Sequence, residues 1–285
     1  MQNNSSVQLV DCPRDAIQGI KFPIPTELKI KYINQLIQSK LFDCIDFGSF
    51  VSPKAVPQMQ DTQAVLAGME KLDEVKLLAI IANVRGAEIG STFPEIDFLG
   101  FPFSISETFQ QKNTNASIQQ AYSQVQQMQD ILAKNSTQEL VIYISMAFGN
   151  PYGDPWAMDL VSEWVGKLQE LGVQHFSIAD TTAEARPEQV GDLFVKLKEE
   201  FNELAFSVHL HSYVEDALLK VNAAYDAGCR RFEGAILGYG GCPFAQDELV
   251  GNIPSELLVD RFQKGSYAQV APLMDAFQKM IRHEV

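Results

Sequence analysis

At 285 residues and 46% hydrophobic side chains, the chain can bury a large core, and α/β barrels commonly use this length as one domain. Its 36 acidic and 22 basic residues leave a net charge of −14, which repels phosphate backbones and argues against nucleic acid as the main partner; it does not forbid an anionic small substrate, because a metal and a few cations can dominate one pocket. No run of about 18 apolar residues spans a membrane, residues 1–10 show no secretory leader, and the four cysteines (Cys12, Cys44, Cys229, Cys242) form no CxxC pair, so reduced thiols in a cytoplasm are expected.

In chain order, residues 7–11 alternate like a short strand and run into a polar loop, Cys12-Pro13-Arg14-Asp15. Thr26 is expected to cap a helix to about residue 39, with apolar positions at Leu28, Ile30, Ile33, Leu36 and Ile37. A second strand covers 44–48; a loop with Ser52-Pro53-Lys54 and a helical run near 63–71 follow. Residues 75–82 form a solid apolar third strand, as in a sheet buried on both faces, ended by Asn83-Val84-Arg85-Gly86 and a short helix. Strands at 96–103, 140–146 and 175–179 alternate with helices at 117–133, 156–171 and from Pro187, which suits a first helical turn. The seventh strand carries His209 and His211, a helix spans 215–227, the eighth strand covers 231–236, and a Gly-rich loop (residues 238–243) precedes C-terminal helices from about 255. No linker divides the chain, so 1–285 reads as one domain.

Strand then helix, eight times, is the pattern of a (β/α)8 TIM barrel, although a doubly wound open sheet also alternates this way. The count of eight favours the barrel. So does the position of the polar residues just after strands: Arg14-Asp15, Asp46, Asn83 and Arg85, Asp180, the histidine pair and Cys242. In a barrel these converge on the C-terminal face, where active sites of this fold lie. His209 and His211, two of four histidines, share one strand face and can clasp a divalent cation; the plainer reading is two polar residues closing a strand. Barrel closure brings Asp15, both imidazoles and the eighth loop together, with Asn252 as a further oxygen donor. That mixed N/O set suits Mg²⁺, Mn²⁺ or another labile divalent ion better than a closed structural zinc site.

Five motifs then carry a resemblance over nearly the whole chain: Pro13-Arg14-Asp15-Ala16-Ile17-Gln18; Ser49-Phe50-Val51-Ser52-Pro53-Lys54 with Val56-Pro57-Gln58-Met59; Ser104-Ile105-Ser106-Glu107-Thr108-Phe109 with Lys112-Asn113; Val208-His209-Leu210-His211; and Gly240-Gly241-Cys242-Pro243-Phe244-Ala245-Gln246 with Gly251-Asn252. The sequence resembles the 3-hydroxy-3-methylglutaryl-CoA lyase family, metal-dependent barrels of the DRE-TIM metallolyase group. The resemblance implies retro-Claisen cleavage of a tertiary 3-hydroxyacyl-CoA, to acetyl-CoA and acetoacetate for the family's parent substrate, with a Mg²⁺ or Mn²⁺ cofactor, an acyl-CoA substrate and a homodimer. It implies Asp15, His209, His211 and Asn252 as metal ligands, and Arg14 as the cation facing the enolate, with an ordinary salt bridge as the alternative for Arg14. Cys242 would take part in proton transfer. Asp46, Asp180 and His209 are further catalytic candidates, and either aspartate could equally be a strand-end carboxylate making ordinary hydrogen bonds. Gln18, Asn83 and Lys54 are expected at the substrate.

The pattern departs in places. Asp46 stands where the family typically has Glu, Ser212 where it has Asp, Gly48 replaces a small hydroxyl residue, and Phe232-Glu233-Gly234 replaces an Asp-Ser pair. The expectation is a lyase for 3-hydroxy-3-methylglutaryl-CoA or a close relative. The alternatives are a lyase or aldolase for another branched 3-hydroxyacyl-CoA or hydroxy acid, and a catalytically silent acyl-CoA-binding barrel.

Overall fold

The computed structural model describes residues 6–135, 137–241 and 250–283. Among them the chain runs β1 (Gln8–Asp11), α1 (Pro13–Gln18), α2 (Thr26–Ser39), β2 (Cys44–Ser49), α3 (Thr62–Ala67), β3 (Lys76–Ile80), α4 (Val84–Gly90), β4 (Phe98–Ser104), α5 (Glu107–Thr114), α6 (Ile118–Asn135), β5 (Glu139–Ser145), α7 (Met158–Glu170), β6 (His175–Asp180), α8 (Pro187–Glu200), β7 (Ala205–Leu210), α9 (Val214–Asp226), β8 (Arg231–Gly234), α10 (Ser255–Arg261) and α11 (Tyr267–Arg282). The eight strands are all parallel, each pairs with the next, and β8 returns to β1 (Gln8 opposite Arg231, Asp11 opposite Gly234), closing the barrel. None of the described helices is long and apolar enough to cross a membrane.

Alternation along the strands divides the apolar residues into two cores. Leu9, Ile45, Leu77, Leu99 and Ile142 belong to the large core shared with the helices; Val10, Cys44, Leu78, Phe98, Val141 and Tyr143 form a smaller one. Each fully buried aliphatic or aromatic side chain contributes about 1.5–3 kcal/mol, and the outer core includes Phe101, Phe103, Phe176 and Phe194. Farther along the strands, buried positions turn polar: Asp46, Ser177, Ser207, His209 and Glu233.

Several elements differ from expectation. Pro13-Arg14-Asp15 is no loop: with Pro13 at its first position it opens the six-residue α1. Residues 107–114 form α5, capped by Ser106, whose hydroxyl accepts from the Phe109 N–H at 3.2 Å. Thr26 lies inside α2, where its hydroxyl donates to Asp61 at 2.7 Å and caps nothing. β8 stops at Gly234, and a single 3-10 turn, Ile236–Gly238, takes over. His211 lies just past β7 in an isolated antiparallel bridge with Asn252.

Candidate active site

The site starts with the tight passage from β1 into α1. Because α1 begins two residues after β1 ends, its first turn sits over the barrel mouth with Arg14 and Asp15 buried. Arg14 spreads its guanidinium over three partners. Nε and Nη2 hold Asp46 at 3.1 and 2.6 Å, and Nη1 donates to Asp15 at 3.1 Å and to Gln18 at 2.9 Å. Asp46 is presented where the β2–β3 register shifts between Asp46 and Gly48, the kind of irregularity that re-aims a side chain. Burial, only partly offset by Arg14, pushes the Asp46 carboxyl up to about 6. For Asp15 burial also opposes ionisation, but Arg14, the two imidazoles and Asn252 outweigh it and hold the carboxyl at about 2. Asp15 is therefore an anion at neutral pH.

Asp15 receives the Asn252 Nδ2 at 2.6 Å, and the same amide nitrogen donates to the Tyr239 carbonyl at 2.8 Å. That orientation leaves Oδ1 as the atom Asn252 can offer a cation. His209 and His211 turn their Nε2 atoms toward each other, 3.2 Å apart. One ligand atom each of Asp15, His209 and His211 lies within 4.8 Å of the others. Two imidazole nitrogens bound about 2.1 Å from one ion at right angles lie about 3 Å apart, so the chemistry and spacing of this donor set fit a divalent cation. Two facing lone pairs at that distance repel unless a proton or cation lies between them. Burial and the neighbouring His209 push the His211 imidazole down to about 4, which keeps it neutral and able to ligate. On the other side of His209, Nδ1 lies 3.1 Å from Glu233, and that contact, with the Glu233 charge, raises the imidazole against the lowering effect of burial. Cys12, His209 and Glu233 also approach one another within 4.8 Å, one layer deeper.

The cluster opens onto a cavity of about 150 Å³. Its walls combine Arg14, Gln18 and the two histidines with an apolar surface of Val51, Val56, Ile80, Pro102 and Phe109. Tyr143 also lines it, edge-on to the His209 ring at 5.8 Å between centroids, with a buried hydroxyl that has no partner among the described residues.

Of the residues singled out in sequence, Arg14, Asp15, Asp46, His209, His211 and Asn252 form this one cluster, with Gln18 attached. Asp180 lies apart: its carboxylate is buried in an ion pair with Lys220 (2.8 Å) and accepts from the Ala185 N–H, while Lys220 also reaches the His211 carbonyl at 3.2 Å. Asn83 is exposed and caps α4 through the Gly86 N–H at 3.0 Å, and Lys54 is exposed; neither lines the cavity. Cys242 lies outside the described residues. Sequence reasoning named Glu233 only as part of a departure from the family pattern, with no role, and missed Lys220 and Tyr143. The strand alternation that put His209 inward also puts Ser207 inward and could have flagged the polar residues beside it.

Comparison with known proteins identifies the family of the chain. The HMGL-like family matches residues 6–277. The cytoplasmic 3-hydroxy-3-methylglutaryl-CoA lyase of Rattus norvegicus is 31% identical over 249 residues, covering 87% of this chain and 71% of the relative. The mitochondrial hydroxymethylglutaryl-CoA lyase of Homo sapiens is 32% identical over 251 residues, covering 87% and 75%. Among solved structures, an HMG-CoA lyase from Acinetobacter baumannii in complex with coenzyme A and 3-methylmalate superposes with a TM-score of 0.88 at 27% identity, covering 98% of this chain and 92% of that one. The family match over nearly the whole chain, the relatives at 31% and 32% identity and the superposed barrel show that the chain belongs to the HMGL-like family of lyases.

Proposed function

We propose that the protein is a divalent-cation-dependent carbon–carbon lyase that cleaves 3-hydroxy-3-methylglutaryl-CoA to acetyl-CoA and acetoacetate, or a close 3-hydroxyacyl-CoA to acetyl-CoA and the corresponding ketone. One observation carries this reading: a buried Asp15–His209–His211 cluster supported by Asn252 stands beside a buried guanidinium at the mouth of an apolar cavity. A bound Mg²⁺ or Mn²⁺ would lower the pKa of a substrate hydroxyl.

In the retro-Claisen step the 3-hydroxyl gives up its proton and the C2–C3 bond breaks. C3 becomes the ketone, and the electron pair passes to the thioester enolate, which is then protonated at C2. Arg14 meets the charge that develops only as that bond breaks, and Asp46, Asp15 and Gln18 hold it in place beforehand, so it does not reorganise during the reaction. The apolar cavity wall excludes water from the enolate. His209 has its Nε2 in the cluster and its Nδ1 at Glu233, which suits a ligand rather than a proton carrier. Proton transfer is the role the family likeness gives Cys242. The relative seen with coenzyme A supports a thioester substrate. The second reading, another branched 3-hydroxyacyl-CoA with an apolar substituent, is favoured by Val51, Val56, Ile80 and Pro102 in the wall.

A coupled assay for acetyl-CoA release, with Mg²⁺ or Mn²⁺ and with excess chelator, tests the proposal. Activity that disappears with chelator and falls at least ~10²-fold in Arg14→Gln supports it. No turnover of any branched 3-hydroxyacyl-CoA at any metal concentration refutes it. Turnover of a longer analogue alone selects the second reading.

A further inference from the structure

The chain spends an unusual arrangement on one buried carboxylate. Glu233 is 3% exposed, inside the barrel where a lone carboxylate is costly. The Ser177 hydroxyl on β6 and the Ser207 hydroxyl on β7 each donate to its Oε1 at 2.7 Å. Ser177 is the register partner of Ser207, and His209 that of Glu233, so three neighbouring strands supply the arrangement at adjoining levels. With Oε1 occupied by two hydroxyls, Oε2 turns to His209 Nδ1 at 3.1 Å.

That contact decides the histidine's tautomer. A carboxylate oxygen only accepts, so a lone pair on Nδ1 would face another lone pair. Nδ1 must carry the proton, and the lone pair of the neutral ring then sits on Nε2, the atom directed at His211 and the Asp15 cluster. We propose that Glu233 is the positioning residue of the cation site, with Ser177 and Ser207 holding it in place while it fixes the tautomer and ring orientation of His209. Carboxylates placed this way behind a ligating imidazole set metal affinity. The inference rests on the metal reading above and adds to it a residue that touches neither metal nor substrate.

The test reads metal binding rather than turnover. In Mn²⁺ equilibrium dialysis, Glu233→Gln should bind about 10–100-fold more weakly than the wild type. Glu233→Asp, which keeps the charge but shortens the reach, should recover part of that loss. Wild-type affinity in Glu233→Gln overturns the proposal. So does a second Mn²⁺ per chain that is lost in both Glu233→Gln and Cys12→Ser, because Glu233 would then be a ligand. Should the variants fold poorly, ¹⁵N-histidine NMR of the wild-type protein decides: an Nδ1–H tautomer for His209 supports the proposal, and an Nε2–H tautomer overturns it. If wild type and Asp15→Asn both fail to bind Mn²⁺, the metal reading itself has failed, and that outcome is distinct from a loss confined to the Glu233 variants.

Discussion

At the scale of single residues, the site works by mutual confinement of buried charges. The Arg14–Asp46 contact is 2.6 Å with both side chains nearly inaccessible, and removing Asp46 leaves the buried Arg14 charge with Asp15 as its remaining carboxylate partner among the described residues. Asp46→Asn should therefore destabilise the fold by about 3 kcal/mol in urea unfolding and also lower kcat, because the guanidinium loses its main anchor; unchanged stability would mean the pair is not formed in solution. Tyr143 is the opposite case. Its buried hydroxyl has no partner among the described residues, so Tyr143→Phe gives up no internal hydrogen bond and should shift stability by less than about 0.5 kcal/mol. A fall in kcat/KM at constant stability would show that the hydroxyl acts on substrate. Legibility differed along the same line. Arg14, Asp15 and the histidines stood out because motif and strand end coincide. Glu233 and Lys220 did not, because a charged residue within a strand or helix reads as solvent-facing unless the partner that buries it, His209 or Asp180, is already known.

At the scale of elements, the strands were readable as apolar runs, and their ends fell within a few residues of expectation. α1 and α5 were not, because six and eight residues show little helical period and both are stabilised by what they pack on. The glycine loop has a concrete task here. Gly240 has φ +108°, and a Cβ there would come within 2.6 Å of Asn252 Nδ2 and 2.9 Å of Asp15 Oδ2. Gly240→Ala should push these two groups apart and weaken Mn²⁺ binding at least about tenfold, measured by dialysis; unchanged affinity would remove Asn252 and Asp15 as joint ligands. A second junction ties the end of β1 to α10, where the Ser255 hydroxyl donates to buried Asp11. Burial, partly opposed by that hydroxyl, raises the Asp11 carboxyl to about 7. Between the unfolded value near 3.8 and about 7, the folded protein holds a proton that the unfolded chain releases. This contribution to stability is complete below the lower value and is lost as pH rises through the higher one. Relative to Asp11→Asn, the wild type should lose on the order of 1 kcal/mol per pH unit between pH 5 and 7; parallel unfolding profiles would rule this out.

At the scale of the whole molecule, the cluster depends on closure of the ring. Asn252 bonds Asp15 across 237 residues of sequence, and the strand count of eight was the feature that made this meeting foreseeable; the distances themselves arise from register, which no periodicity encodes. A cation held as proposed, by Asp15 on α1 and by the histidines at the end of β7, would join two separated parts of the chain in the native state alone. At 100 times its Kd it should stabilise the fold by about 2.7 kcal/mol, a rise in Tm of about 5 °C. Calorimetry with Mn²⁺ and then with chelator should show the rise and its reversal. The net charge of −14 supplies the necessary control, because an acidic surface can gather divalent ions nonspecifically. Asp15→Asn changes that surface negligibly, since Asp15 is 5% exposed, yet it removes the anionic member of the cluster. The rise should vanish in Asp15→Asn at low Mn²⁺; a rise of wild-type size in the variant would place the stabilising ions on the surface and leave the barrel mouth without its cation.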